Sequence, residues 1–250
     1  MIKILLLGIV QGFTEFLPVS SSGHLAILEK LFHVPEPVAV AAFLHFGTFL
    51  ATFVFFWKSI IMVIRGLFRG EKEAFRYLAF IALGNVPVAI FALFFKKAIE
   101  QSFGDIRLIG LFLGLTGLAL LVTALFKKGK EKINLPRAIA VGFAQMLAIF
   151  PGISRSGATI ATGLVIKTDP EGAFRFSFLL SLPAIFGANL IELKDLSSFG
   201  DWGFLLVGFG LSFVTGLAAL YMLRRLVREH FHYFGIYCLV VSLLIVLFVR

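Results

Sequence analysis

Six long apolar stretches, separated by short polar or basic segments, dominate the chain: roughly 39–57, 76–96, 107–126, 174–193, 203–223 and 233–249. Each is about the 17–25 mostly apolar residues that a helix needs to cross a bilayer. Two further apolar stretches break off early. Residues 1–17 run into Glu15, Pro18 and three serines, and residues 135–150 run into Pro151, Gly152, Ser154 and Arg155. Each break is followed by a second short apolar segment, 24–32 and 158–166. Short apolar helices joined by polar, Pro/Gly-rich turns predict re-entrant hairpins, because such backbone is tolerated at membrane depth only inside protein or around a wet cavity. The expected fold is an all-α integral membrane protein with six transmembrane helices and two re-entrant helical hairpins.

Composition agrees. Hydrophobic residues make up 59%, charged residues 15%, and mean hydropathy is +0.99. Soluble domains average about 45–50% apolar and about 25% charged, so a bilayer must solvate the excess. The net charge of +9 would suggest nucleic acid in a soluble protein. Here the basic residues cluster between apolar runs, where they act as topology signals and headgroup contacts; no nucleic-acid signature is present. The single cysteine, Cys238, rules out an intrachain disulfide, and no Cys/His metal spacing exists. The apolar N-terminus lacks a small-residue cleavage pattern and does not read as a signal peptide. One membrane domain, 1–250, is expected.

Charge counting orients it. Segments 58–76, 127–137, 167–175 and 224–232 hold 15 of the 23 Lys and Arg residues, and the opposite side with both termini holds 7. The richer side should be cytoplasmic, which puts both termini outside. The first hairpin then enters from outside and, three spans later, the second enters from the cytoplasm. That is an inverted-topology repeat, with halves at approximately 1–126 and 134–250.

The halves are also alike in sequence. GIVQGFTEFLPVSSSGH at 8–24 aligns with GFAQMLAIFPGISRSGA at 142–158 at a constant offset of 134. The identities are Gly8/Gly142, Gln11/Gln145, Phe16/Phe150, Ser20/Ser154, Ser22/Ser156 and Gly23/Gly157. Apolar letters match easily by chance; Gln, Ser, Ser and Gly in one register do not.

The chemistry lies at the two tips. Pro18 ends one helix and Ser20 can cap the next, whose free N–H groups and dipole make an anion site. Ser20 and Ser21 lie four and three residues before His24 and share a helical face with it; Glu15 precedes the break. The second tip keeps Ser154 and Ser156 but has Arg155 in place of Ser21 and Ala158 in place of His24. Arginine presents a planar fork suited to phosphate oxygens. Tips packed together would set Arg155 against Glu15 and His24, in a cavity suited to a polyanion and to its hydrolysis.

Gln11–His24 resembles the first signature of the undecaprenyl-diphosphate phosphatase family, also called the bacitracin-resistance family, and Pro151–Gly157 resembles its second. The likeness extends over the whole chain in length, span count and motif order. It implies an enzyme of the bacterial cytoplasmic membrane that removes the terminal phosphate of undecaprenyl diphosphate, recycling the lipid carrier for envelope polymers, with a site open to the outer face. It also implies a divalent cation, Mg²⁺ or Ca²⁺, held by Glu15, with Gln11 a weak second ligand. Many members of the family have a glutamate where this chain has Gln11, which can be neither an anionic ligand nor a base. By the same resemblance Glu15, Ser21, His24 and Arg155 are catalytic; Ser20, Ser22, Gly23, Ser154, Ser156 and Gly157, placed at the two helix starts, are expected to bind substrate. The partners implied are a polyprenyl diphosphate and membrane lipids, with a homodimer allowed and no nucleic acid.

Phosphoryl transfer depends mainly on positioning and charge stabilisation. Three schemes stand open on sequence: attack by Ser21 with His24 as base, phosphoryl capture by His24, or activation of water by Glu15 or His24. Intramembrane ionisable groups are costly and usually functional, which favours roles for Glu15, His24 and Arg155 over a structural pair at a helix break. The flanking serines serve capping and phosphate contact alike. His45 lies in the first span at a depth that reaches the cavity, although packing is its commoner use. His33 reads as interfacial, His230 and His232 as solvated, and Asn85 and Asn189 as interhelical hydrogen-bonders. A polyprenyl-phosphate transporter or flippase is the alternative function, since inverted repeats with broken helices are transporter architecture. A pure binding site, however, gains little from Glu15, Ser21 and His24.

Overall fold

The computed structural model describes residues 2–34, 37–192 and 202–249. The end of the stretch expected at 174–193, and two of the counted basic residues, Lys194 and Arg250, lie outside them. Among the described residues the chain is helical without a strand. Its one bridge, between Glu131 and Thr168, ties two turns together.

Among the described residues eleven helices follow in order: α1 (Ile2–Phe16), α2 (Ser21–Phe32), α3 (Pro37–Phe55), α4 (Trp57–Phe68), α5 (Lys72–Gly104), α6 (Ile106–Val122), α7 (Leu135–Leu147), α8 (Arg155–Val165), α9 (Pro170–Glu192), α10 (Trp202–Leu226) and α11 (Tyr233–Phe248). A 3₁₀ turn, Thr123–Leu125, extends α6. Within the described residues four segments are long and apolar enough to cross a membrane: Lys72–Gly104, Ile106–Leu125, Pro170–Leu190 and Trp202–Leu226. The bent pair α3/α4 makes a fifth. The chain is a multi-pass membrane protein.

Three expectations are refined. Residues from 58 onward were expected to form a polar connection, but 58–68 belong to α4, bent by 66° from α3. Its apolar residues recur at helical spacing (Ile60, Ile64 and Leu67–Phe68), so the segment gains as a helix with one apolar side. Helix α5 runs past the expected end at 96 to Gly104 and carries Pro87 within it; Phe95 leaves helical geometry (φ −113°, ψ 16°) and marks a kink. At about 1.5 Å per residue its 33 residues exceed a bilayer core. The last stretch, α11, has only 16 residues, fewer than an ordinary span.

Both early breaks are helix–turn–helix units. α1 ends at Phe16 and α2 begins at Ser21; α7 ends at Leu147 and α8 begins at Arg155. The entering helices pack crosswise. Gly8 of α1 lies against the backbone of Gly208 in α10, and Gly142 of α7 lies against Gly84 in α5. A Cβ at either glycine would strike the facing backbone, so the close crossings require glycine. Beneath the tips lies a buried aromatic cluster of Phe16, Phe56, Phe174 and Phe178, with the Phe174 and Phe178 rings 5.0 Å apart. Offset and edge-on aromatic contacts of this kind stabilise beyond their area alone.

Candidate active site

The two tips meet. Ser20 caps α2, its hydroxyl accepting from the Gly23 N–H at 3.3 Å, and Ser154 caps α8 by accepting from Gly157 N–H at 3.1 Å. Such caps satisfy donors that the first turn leaves free. Ser20 Oγ also accepts from the backbone N–H of Gly152 at 3.0 Å, which joins one tip to the other. Gly152 has φ +98°, a conformation only glycine adopts without strain. Thr116 of α6 clamps the second tip, donating to Gly152 O and accepting from Ser154 N–H, each at 3.0 Å. Ser156 Oγ donates to Leu17 O at 3.4 Å and lies 3.2 Å from Ser154 Oγ; Ser22 Oγ lies 3.4 Å from Ser20 Oγ. Gly23 and Gly157 keep the tips close, since added methyl groups would reach Gly152 and Pro18 respectively. The expected substrate-binding residues therefore build the joint between the tips, and the serine hydroxyls are engaged within it.

At the joint Arg155 Nη2 donates to Glu15 Oε1 at 2.6 Å, pairing residues 140 positions apart. Both side chains are largely buried, at 15% and 7% exposure. Glu15 Oε2 accepts from Ser21 Oγ at 2.6 Å and Gln11 Nε2 at 3.3 Å. His45 Nε2 stands 3.5 Å from the same oxygen, and Gln11 also donates to Thr48 Oγ1 at 3.3 Å. The Arg155 guanidinium rests 5.6 Å from the centre of the Phe178 ring, a cation–π contact strengthened by desolvation. Breaking a buried ion pair by removing one partner costs about 3–5 kcal/mol, so this arrangement holds Glu15 firmly. Two atoms of the cluster are buried without a partner: Arg155 Nη1 and Gln11 Oε1.

The structure thus brings Glu15, Ser21, Arg155 and Gln11 together. His24 faces elsewhere. Its Nδ1 donates to Ser20 O at 2.8 Å, and its Nε2 lies 2.8 Å from the hydroxyl of Tyr237 on α11. The histidine at Glu15 is His45, on α3, with its Nδ1 donating to Ala41 O at 2.8 Å. His45 is a nearer neighbour of Glu15 than its place in an apolar span suggested, and Thr48 was not among the expected site residues. The available signal was a histidine and a threonine three residues apart inside an apolar span, where polar groups are expensive. Nothing in the sequence points to Tyr237, Thr116 or Phe178 as neighbours of the tips.

Among the described residues no three His, Cys, Asp or Glu side chains gather into a metal cage. The oxygens on offer are the Glu15 carboxylate and the partnerless Gln11 Oε1. This sparse set fits a hard cation such as Mg²⁺, which is usually held by one or two carboxylates together with substrate phosphates and water.

The chain is similar to known proteins along nearly its whole length. Residues 4–244 match the family model described as bacitracin resistance protein BacA. The undecaprenyl-diphosphatase of Methanococcus maripaludis strain C7 is 40% identical over 248 residues, 98% of this chain and 98% of that one. That of Thermosipho africanus is 36% identical over 245 residues, covering 96% and 97%, and that of Korarchaeum cryptofilum is 40% identical over 258, covering 96% of each.

Proposed function

The chain belongs to the bacitracin resistance protein BacA family, and from that premise we infer a membrane phosphatase that hydrolyses undecaprenyl diphosphate to undecaprenyl phosphate and inorganic phosphate. The observation that carries the chemistry is the buried Glu15–Arg155 pair, which spans the two tips and leaves Arg155 Nη1 without a partner. A transporter would need the cation and the N–H donors. It would have no use for a carboxylate tied at 2.6 Å to a serine hydroxyl, and the names of the relatives favour hydrolysis.

The reaction adds water across the P–O–P bridge: a water oxygen bonds to the terminal phosphorus, the bridge bond breaks, and the bridging oxygen stays on the lipid monophosphate. Arg155 offers Nη1 to the oxygens of the transferring group, where an arginine stabilises developing charge. The N-termini of α2 and α8 add their positive ends. Ser21 donates to Glu15, so Glu15 is the base within reach of the Ser21 hydroxyl or of a water in its place. Gln11 donates to the second carboxylate oxygen and His45 packs 3.5 Å from it, which limits its rotation. A bound Mg²⁺ or Ca²⁺ would be held by Glu15 and Gln11 Oε1 and would supply further charge neutralisation.

Six membrane passages with two re-entrant hairpins, in inverted halves near 1–126 and 134–250, remain the topology this reading adopts. The matching caps and crosswise packing of α1 and α7 support it. The distribution of basic residues supports a cytoplasmic basic face, outside termini and a site open to the outer face.

The direct test is phosphate release from undecaprenyl diphosphate by purified protein in detergent, with and without Mg²⁺ or Ca²⁺. Cation-stimulated release that disappears in Glu15→Ala and Arg155→Ala supports the reading. No release from folded wild type under any cation returns the tips to a transporter's binding site.

A further inference from the structure

Ser20 is one of three non-glycine residues with positive φ among the described residues, at φ 67° and ψ 94°. A side-chain-bearing residue persists there only when its surroundings hold it. Its counterpart Ser154 caps α8 from ordinary extended backbone, at φ −72° and ψ 118°. The two tips share a cap and differ in strain.

They also differ in what holds the turn. The Ser20 carbonyl accepts from His24 Nδ1–H at 2.8 Å, beside the helical bond from His24 N–H at 3.2 Å. A carbonyl only accepts, so Nδ1 carries the hydrogen and Nε2 is the lone-pair nitrogen. That lone pair takes the Tyr237 O–H at 2.8 Å, and the two rings stack with centroids 5.9 Å apart and planes 12° apart. Tyr237 lies two residues beyond Gly235, where α11 is pressed against Gly117 of α6. A hydrogen-bonded strap thus runs from α11 through His24 to the strained carbonyl. The relaxed second tip has Ala158 at the matching position and no strap. Ser21, immediately after Ser20, is the residue whose hydroxyl must reach Glu15.

We infer that His24 and Tyr237 are positioning residues, which together hold the Ser20 turn and so aim Ser21 at Glu15, and that the imidazole itself transfers neither a proton nor a phosphoryl group. Both ring nitrogens are engaged in the strap, and neither reaches Glu15 or Arg155. The inference rests on the phosphatase reading of the same tips.

The test separates the shape of His24 from its chemistry. Asparagine at position 24 places an N–H donor near Nδ1 but has no basic or nucleophilic nitrogen. His24→Ala should lower kcat about a hundredfold, the usual consequence of a small misplacement at a reacting centre. His24→Asn should recover to within about tenfold of wild type, by restoring the donor. Tyr237→Phe keeps the stack and loses the hydroxyl; kcat should fall about tenfold with KM unchanged, and in the His24→Ala background it should add nothing. Nitrogen-15 spectra of His24 should show the Nδ1–H tautomer in wild type. His24→Asn as inactive as His24→Ala, a Tyr237→Phe enzyme equal to wild type, or an Nε2–H tautomer overturns the inference while the phosphatase reading stands. Absence of phosphate release from wild type removes that reading, and the strap's role with it.

Discussion

The first tip and the second are one scaffold carrying two chemistries. Each breaks a helix, caps the next with a serine at closely similar distance, 3.3 and 3.1 Å, and lays its entering helix across a glycine of the other half. The polar side chains that the proposed reaction uses are divided between them. Glu15, Ser21 and His24 stand opposite Ile149, Arg155 and Ala158 at the repeat offset. Neighbouring helices follow suit: His45 and Thr48 of α3 correspond to Leu179 and Leu182 of α9. Gln11 points its amide at Glu15 and Thr48, whereas Gln145 donates to Asn85, which itself donates to Leu180 O. The two tips present the same capped-turn geometry twice. Catalysis needs an acid–base side and a cationic side facing one another, and two identical tips would put like charges together at a buried site.

The comparison breaks most completely at its charged bridge, Glu15–Arg155. Glu15→Gln keeps the size and removes the charge, and Arg155→Lys keeps the charge and removes the fork. Either should lower kcat by about a thousandfold or more, on the scale of losing an arginine that stabilises a phosphoryl transition state, measured as initial rates of phosphate release. Near-wild-type activity in either would mean that the pair is only a structural tie.

Ser21→Ala comes next. It removes the hydroxyl at Glu15 and should cost about a hundredfold in kcat, within the range for general acid–base assistance. Acid-quench trapping of a phosphoenzyme distinguishes the two roles of Ser21: a trapped species lost in the variant makes it the nucleophile.

His45 tests whether α3 belongs to the site. His45→Phe fills the space but removes the polar ring that stands 3.5 Å from Glu15, and should lower kcat about tenfold, the scale of one lost polar contact to a charged group. His45→Gln should stay within about threefold, because its amide can reach the same oxygen. Equal rates in both variants would assign His45 to packing.

The two glutamines give the sharpest contrast at the smallest amplitude. Gln11→Leu should reduce the rate about fivefold by freeing one oxygen of Glu15. Gln145→Leu should change it by less than about twofold, because among the described residues the Gln145 side chain bonds to Asn85 alone. A larger loss at Gln145 than at Gln11 would reverse the division of labour between the tips.

Much of this was written in one dimension. Apolar length sets the spans because the bilayer thickness is fixed. The repeat offset pairs the tips, and the rarity of charge at membrane depth singles out Glu15, Arg155 and their neighbours. The meeting of Arg155 with Glu15 followed from packing the halves tip to tip. The partner of each remaining polar group did not follow. Ser21 and His24 are three residues apart, about 60° apart around a helix of 3.6 residues per turn. That angle sends Ser21 to α1 and His24 to α11, and leaves the place beside Glu15 to His45. Sequence spacing says which side chains share a helical face. How far each helix is rotated, and which neighbour it crosses, is decided by close glycine contacts such as Gly8 with Gly208 and Gly117 with Gly235, between residues far apart in the chain. The sequence by itself determined the membrane fold, the duplicated tips and the charged pair; the tertiary structure alone decided which histidine touches the carboxylate and which one braces the turn, because only packing fixes helix rotation.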